Sequence, residues 1–349
     1  MSNIETDEEA HSLSMVESHR LCVVTVTYAD RLNFLEQLVE RVTEDGVWKI
    51  IVVSNDSKAN LSNLVDRYGS VVSVIALQRN TGSAHGFAVG IAAALDAGAH
   101  SILLLDDDNL PEESTIARLA TELETLVGEV GQDKASVLAF RRDHQPDIAS
   151  GVSVLMAYPP QSSFLGLSVT QVPYKIWRRT RFGRPASSHA SPRLIQVPYA
   201  PYSGFMARAA AFAALGFPKK EFVLYADDTE YTWRLTNRGG IIRLVRDAIV
   251  IDLEKSWASD SARSNSFARY LLEGSDFRVF YSVRNRVCFD RFYYRNNRVL
   301  YYLNKSLFLA ALWFFAKRYN RRDRHELLKD AIKRGELGIL GERGGMSLA

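Results

Sequence analysis

The sequence predicts an α/β fold with a mostly parallel sheet and a helical, basic C-terminal region, and three observations predict it. Apolar, β-branched runs of five to seven residues recur through the first 105 residues, segments with apolar side chains at helical spacing separate them, and polar residues gather at the end of each run. Strands that alternate with helices pair in parallel and are covered on both faces. Leu21–Thr27 (LCVVTVT) reads as the first buried strand. Asp30 is placed to cap a helix carrying Leu32, Leu35, Leu38 and Val39 on one face, with Gly46 near its end. Lys49–Val53 is the second strand, stopped by Ser54, Asn55, Asp56 and Ser57, all turn formers. Leu61–Tyr68 is a short helix, Val71–Leu77 the third strand, and the loop Gln78–Gly86 leads into a helix over Phe87–Ala97. Ser101–Leu105 is the fourth strand, ending in Asp106, Asp107 and Asp108. Pro111 is expected to open the next helix, with Glu112 and Glu113 in a first turn whose dipole favours acids. Beyond Gly131 the pattern is less regular, with Pro and Ser between Tyr158 and Pro201 and a basic loop over Tyr174–Arg193. Helices are expected at Gly204–Leu215 and Ala226–Asn237, strands within Ile241–Ile251, and helices from Asp276 onward.

In such a sheet, ligands bind beyond the carboxyl ends of the strands. Thr27, Asn55, Asp56 and the three aspartates all fall at those ends, so a ligand site is expected there on topology alone. Composition narrows the classes. With 47% apolar and 24% charged residues the chain is globular rather than disordered. A net charge of +3 is too small to argue for nucleic acid. Cys22 and Cys288 are far apart and make no disulfide framework, which points to a reducing compartment. The opening MSNIETDEEAHSLSMVESH lacks the basic and apolar regions of a secretory leader, and residues 1–18 are expected to form a flexible tail. No run reaches 18 uninterrupted apolar residues, and the nearest, Val299–Ala316, carries Asn304, Lys305 and Ser306, so no transmembrane helix is expected.

Three constellations carry chemistry. In LLLDDDN (Leu103–Asn109), alternate residues of a strand point the same way, which makes Asp106 and Asp108 a natural pair for a hard divalent cation such as Mg²⁺ or Mn²⁺ against a diphosphate. The alternative is an acidic turn in which Asp108 or Asn109 caps a helix. In YADDTEYTWRL (Tyr225–Leu235), Asp227, Asp228 and Glu230 open a helix, and a carboxylate there suits a proton acceptor if burial raises its pKa. Capping alone is the competing account. In QRNTGSAHGF (Gln78–Phe87), Gly82 and Gly86 permit close backbone approach at a helix start, where anions bind, although an ordinary loop fits equally.

In this order, from about Leu21 to Asp252, the motifs resemble inverting family 2 glycosyltransferases of the GT-A fold, a Rossmann-like sheet flanked by helices. NTGSAHGF with LLLDDDN is similar to galactofuranosyltransferases, and AIKRGELGILG (Ala331–Gly341) to the tail of rhamnosyl- and galactofuranosyltransferase-like members. The resemblance implies a nucleotide-sugar-binding half over 19–130, an acceptor and catalytic-base half over 131–260, and a helical region over 261–349. It implies donor contacts from Thr27, Asn55, Asp56, Arg79, Asn80, Gly82, Asp106 and Asp107, with UDP or dTDP as the nucleotide. Asp228 is then the catalytic base and Asp227 its neighbour; Tyr202, Glu230 and Trp257 are expected near the acceptor. Two positions depart from the family: Ser54 stands where Asp is customary, and Asp252 stands where a metal-binding His is common, an oxygen ligand beside Asp106 and Asp108. The implied reaction moves a sugar, with galactofuranose favoured over rhamnose or another hexose, to a glycan or lipid-linked acceptor in cell-surface polysaccharide synthesis. A sugar-1-phosphate nucleotidyltransferase would need a Gly-rich basic signature after the first strand, where VTYADRLN offers only Arg31. A non-catalytic carbohydrate-binding protein would not need both acidic motifs.

Aromatic and basic residues interleave from Phe277 to Arg324. This suits a helical region lying on an anionic membrane surface, with a helical bundle as the alternative and no RNA-binding motif to suggest nucleic acid. The expected location is cytoplasmic, peripheral on the inner face of the cell membrane.

Overall fold

The computed structural model describes residues 20–178, 180, 192–254 and 266–344. The first half runs β1 (Leu21–Ala29), α1 (Leu32–Glu44), β2 (Lys49–Ser57), α2 (Ser62–Tyr68), β3 (Val72–Leu77), α3 (Ser83–Asp96), β4 (Ser101–Asp106), β5 (Asn109–Pro111) and α4 (Thr115–Val130). Next come β6 (Ala135–Phe140), α5 (Pro146–Ala149), α6 (Val154–Ala157), α7 (Val172–Arg178), β7 (Leu194–Val197), β8 (Phe205–Arg208) and α8 (Ala209–Leu215). The chain continues through α9 (Asp227–Asn237), β9 (Ile241–Asp252), α10 (Ser266–Leu272), α11 (Asp276–Phe292), α12 (Arg298–Arg318) and α13 (Arg322–Leu337).

The strands form one sheet in the order β3-β2-β1-β4-β8-β6-β9-β5, with β7 also paired to β9. β1–β4, β6 and β9 run one way, while β8, β5 and β7 run against them. The mostly parallel sheet expected from the sequence is therefore present. Side chains alternate across β1: Leu21 and Val23 face α1 and α4, whereas Cys22, Val24 and Val26 face α3 and its neighbours. A third core joins the C-terminal helices through Val279, Tyr281, Tyr301 and Phe308 to Phe164, Leu165 and Val223. The site lies where β1 is flanked by β2 on one side and β4 on the other, with Val26 in register with Asp106. Here the connections diverge and open a crevice at the strand ends.

Several local expectations are corrected. Asp30 does not cap α1: β1 runs on to Ala29, and Arg31 takes the position before the helix without a side-chain cap. Ser54–Ser57 do not end β2, because Ser54 and Asn55 continue the parallel ladder onto Ala76 and Leu77. α3 begins at Ser83, four residues ahead of Phe87. Pro111 closes a short strand opposite Val250 at the end of the sheet, where a missing N–H is tolerated. The Glu112 N–H still donates to Ile249 O at 2.9 Å, so α4 starts only at Thr115. Gly204–Leu215 divides into strand β8 and helix α8, and β6, buried along its length, was not marked by the sequence pattern.

Candidate active site

β4 delivers its aspartates into the crevice in distinct environments. The Asp106 carboxylate accepts from Ser203 Oγ, and its backbone N–H donates to Asn109 Oδ1 at 3.0 Å. Asp107 is buried, and both its oxygens accept from Arg31 Nε at 2.9 Å. Burial lifts its carboxyl to about 7 against the pull of Arg31. Asp108 lies 3.2 Å from Arg31 Nη2, and burial with the nearby Asp106 charge pushes it up to about 6. A second carboxylate close enough for its charge to bear on Asp108 makes a pair that suits a hard divalent cation. Asp252 lies close enough to Asp108 for its charge to add to that rise, with its own carboxylate engaged by neighbouring side chains. Its oxygens are taken by Arg141, by His144 Nε2 at 3.2 Å and by Asn109 Nδ2 at 2.9 Å. Burial opposes its charge, but His144 and Arg141 outweigh that and hold it below the usual carboxylate range. Among the described residues no three His, Cys, Asp or Glu side chains gather as a metal cluster.

The second acidic motif opens α9. Asp227 is buried and accepts from Ser83 Oγ at 3.3 Å; burial, then the adjacent Asp228, hold it well above the usual carboxylate range. Asp228 Oδ1 accepts from the Thr229 N–H at 2.6 Å and Thr229 Oγ1 at 3.2 Å. Burial lifts Asp228 to about 6, with Asp106 adding to the rise. Its side chain reaches a cavity of about 340 Å³ walled by Arg141, His144, Tyr158, Tyr199 and Pro201. Asp228 thus stands between the β4 carboxylates and an open, aromatic-walled cavity. Tyr202 is buried against Phe87, ring centroids 4.4 Å apart, and Asp227 and Asp228 lie near its phenol. Glu230 does not line the cavity: it is buried between Arg234 and Lys219, with Lys219 Nζ at 3.1 Å. Trp257 lies outside the described residues.

On the β1–β2 side, Asn55 organises the glycine loop. Its Oδ1 accepts from the Thr81 N–H at 2.9 Å, and its Nδ2 donates to Asn80 Oδ1 at 3.1 Å and Gly82 O at 3.2 Å. Gly82 has φ +85°, and a Cβ there would stand 2.1 Å from Val223 O. Only glycine fits both constraints. Thr27 is buried at the end of β1, Asp56 is exposed with φ +61°, and Arg79 reaches out to Glu342 at 3.1 Å.

Residues 22–158 match the family described as Glycosyl transferase family 2. The chain carries a family 2 glycosyltransferase domain. Galactofuranosyltransferase GlfT1 of Mycolicibacterium smegmatis is 27% identical over 230 residues, which is 64% of this chain and 68% of that relative. Among solved structures, GalNAc-T7 with UDP, GalNAc and Mn²⁺ matches with a TM-score of 0.48 at 13% identity, covering 77% of this chain and 47% of that one. The chain thus spans about half the length of that protein. S. aureus TarS 1-349 in complex with UDP matches with a TM-score of 0.45 at 12% identity, over 95% of this chain and 94% of that one.

The matched domain has the mostly parallel sheet flanked by helices expected from the sequence, and the helical C-terminal region is present. Sequence reasoning missed the residues that shape its crevice. Arg31 reaches Asp107 and Asp108, while Arg141 and His144 hold Asp252 and wall the cavity. A lone arginine after a strand carries no local signal of a partner 76 residues away. Tyr158 and Tyr199 meet edge-on at 5.1 Å, a pairing likewise formed only by the fold.

Proposed function

We propose that this family 2 glycosyltransferase is an inverting enzyme that moves a sugar, galactofuranose by preference, from a UDP donor to a hydroxyl of a glycan or lipid-linked acceptor in cell-surface polysaccharide synthesis. The observation that carries the reading is Asp228, a half-buried carboxylate on the cavity wall and close enough to feel the charge of Asp106. The donor's diphosphate belongs at the ends of β1, β2 and β4, beside the Asn55-braced loop Asn80–Gly82 and the positive end of the α3 dipole. The acceptor belongs in the cavity. Asp228 takes the proton of its hydroxyl as the new bond to the anomeric carbon forms and the bond to the diphosphate breaks from the opposite face. Asp106 and Asp108 would hold Mg²⁺ or Mn²⁺, whose charge would offset that of the leaving diphosphate. The 27% identity to a galactofuranosyltransferase supports the choice of sugar.

A second observation bears on where the enzyme works. α12 buries Tyr301, Asn304, Phe308, Leu312 and Ala316, while its opposite face exposes Val299, Leu303, Leu307, Trp313 and Phe314. Exposed Arg298, Lys317, Arg318 and Arg322 flank that stripe. We infer that it rests on an anionic membrane surface on the cytoplasmic side, next to a lipid-linked acceptor.

The reading is tested by incubating the protein with Mg²⁺ or Mn²⁺ and a panel of UDP- and dTDP-sugars that includes UDP-galactofuranose. Metal-dependent release of UDP from UDP-galactofuranose, lost with a chelator or with Asp108→Ala, is expected. Release from dTDP-rhamnose or a UDP-hexose alone would reassign the sugar. No release from any donor, and no nucleotide binding by calorimetry, would overturn the transferase mechanism described here.

A further inference from the structure

The segment entering α9 is strained, and a side chain from the C-terminal helical region holds it. Val223 has φ +70° and ψ −68°, and the Leu224 N–H donates to Phe222 O at 2.9 Å, which makes a γ-turn of the rare positive-φ kind centred on a β-branched residue. Tyr225 (φ +65°) and Ala226 (φ +58°) follow, both in a left-handed conformation that L side chains seldom adopt. Three such residues within four, immediately before Asp227 and Asp228, do not persist unless the surroundings fix them.

Asn285, fully buried on α11, supplies that fixing. Its Nδ2 donates to Phe222 O at 2.7 Å, Leu224 O at 2.7 Å and Tyr225 O at 3.0 Å, while its Oδ1 accepts from Arg284 Nε at 2.8 Å. Arg284 Nη2 adds a bond to Phe222 O at 3.3 Å, and its Nη1 ties the same corner to Gly341 O at 2.6 Å. The remaining carbonyl of the turn, Val223 O, accepts the Ala84 N–H at 3.2 Å. Gly82 lies against the same carbonyl, so the turn presses on the loop that precedes α3. One amide side chain therefore gathers the carbonyls of a strained turn that touches the glycine loop and leads directly into Asp228.

We propose that Asn285 is a positioning residue for glycosyl transfer: it holds the turn Phe222–Ala226 so that Asp228 stands in its working place while the same turn is seated on the Gly82 loop. This rests on the assignment of Asp228 as the base. It also gives the C-terminal helices a part in turnover as well as in packing.

The test compares the full chain with Asn285→Ala, the isosteric Asn285→Asp, Asp228→Asn and the Asn285→Ala/Asp228→Asn double variant. UDP binding is read by calorimetry, turnover as UDP release from UDP-galactofuranose at saturation, and loop order by amide hydrogen exchange. Loss of the Asn285 donors is expected to lower kcat by about 10²-fold through misplacement of the base, with UDP affinity within about threefold of wild type. Exchange should rise over Val223–Thr229 and not in β1 or β4. The double variant should be no slower than Asp228→Asn, since the two act as one unit. Wild-type kcat and unchanged exchange in Asn285→Ala, or a double variant whose losses multiply, would overturn the proposal. So would loss of cooperative melting in both Asn285 variants, which would make the residue one of folding. Full turnover in Asp228→Asn would instead remove the base assignment and leave the exchange result as the measure of the clamp.

Discussion

A carboxylate accepts a proton only when it is ionised, so the surroundings of Asp228 set the pH response of the reaction it is proposed to catalyse. Burial lifts it to about 6, the Thr229 N–H and hydroxyl pull it down, and Asp106 pushes it up. Turnover is therefore expected to fall as pH drops through about 6 and to level off above it, with a single-proton acid limb in the kcat profile. Asp228→Asn should remove that limb together with about 10²- to 10⁴-fold of the rate, while UDP binding by calorimetry stays near wild type. A retained limb in the variant would assign it to another group. The residues of this scheme differ in how well they can be read from the chain. Asp106, Asp108 and Asp228 stand at a strand end and a helix start, and each motif is complete within a few residues. Arg141 meets Asp252 across 111 residues, so neither residue's surroundings are visible locally. Glu230 shares a motif with Asp228, yet it turns to Arg234 one helical turn on and to Lys219, an ion pair buried away from the cavity wall.

At the scale of elements, the decisive contact is between the Gly82 loop and the turn before α9. Gly82→Ala would force a Cβ against Val223 O at a φ of +85°. Destabilisation of more than about 1 kcal/mol is expected, seen as a lower melting temperature, together with weaker UDP binding because the N-terminus of α3 shifts. A variant with wild-type melting and wild-type UDP affinity would mean that the two loops separate freely. The elements themselves divide in the same way as the residues. β1, β2 and β4 were legible because each is a largely apolar run buried between two helical layers, and β3, half-buried at the sheet edge, because Val72, Val74, Ile75 and Leu77 still mark it. Pro111 misled because proline at a helix start and proline at a sheet edge share a fixed φ, and only the pairing of Asn109 with Asp252 decides between them. β8 runs antiparallel between β4 and β6, and a four-residue strand joined directly to α8 gives no change of period to detect.

For the molecule as a whole, the C-terminal helices are joined to the rest of the described chain through Phe164, Leu165 and Val223 on one side, and α12 presents an apolar stripe on the other. The joined side is specific: Asn304 Nδ2 donates to Ser162 O at 2.9 Å and its Oδ1 accepts from the Val169 N–H at 2.9 Å, while Lys305 pairs with Glu336 of α13 at 2.7 Å within the helical region. These polar residues interrupt the apolar run in the sequence, yet the 21-residue helix is long and apolar enough by length and composition to cross a bilayer. With the Asn304 face docked onto the domain, the orientation proposed for this helix is along a membrane surface and not across it. The exposed face then places Trp313 (52% exposed) and Phe314 (56% exposed) beside Lys317, whose Nζ sits 3.9 Å from the Trp313 ring centre. An apolar stripe with basic ends gains from acyl-chain burial and from anionic headgroups, and only the second gain is screened by salt. Sedimentation with vesicles of phosphatidylcholine and phosphatidylserine should therefore show binding that weakens from about 0.1 M to 1 M salt as the Debye length shrinks from about 10 to 3 Å. Binding to pure phosphatidylcholine should be weaker throughout. Phe314→Glu, which puts a charge on the stripe without touching its buried side, should abolish sedimentation while UDP binding is unchanged. If Phe314→Glu instead converts a dimer to a monomer, and neither form sediments with vesicles, the stripe is covered by a second copy of the chain and the membrane assignment fails.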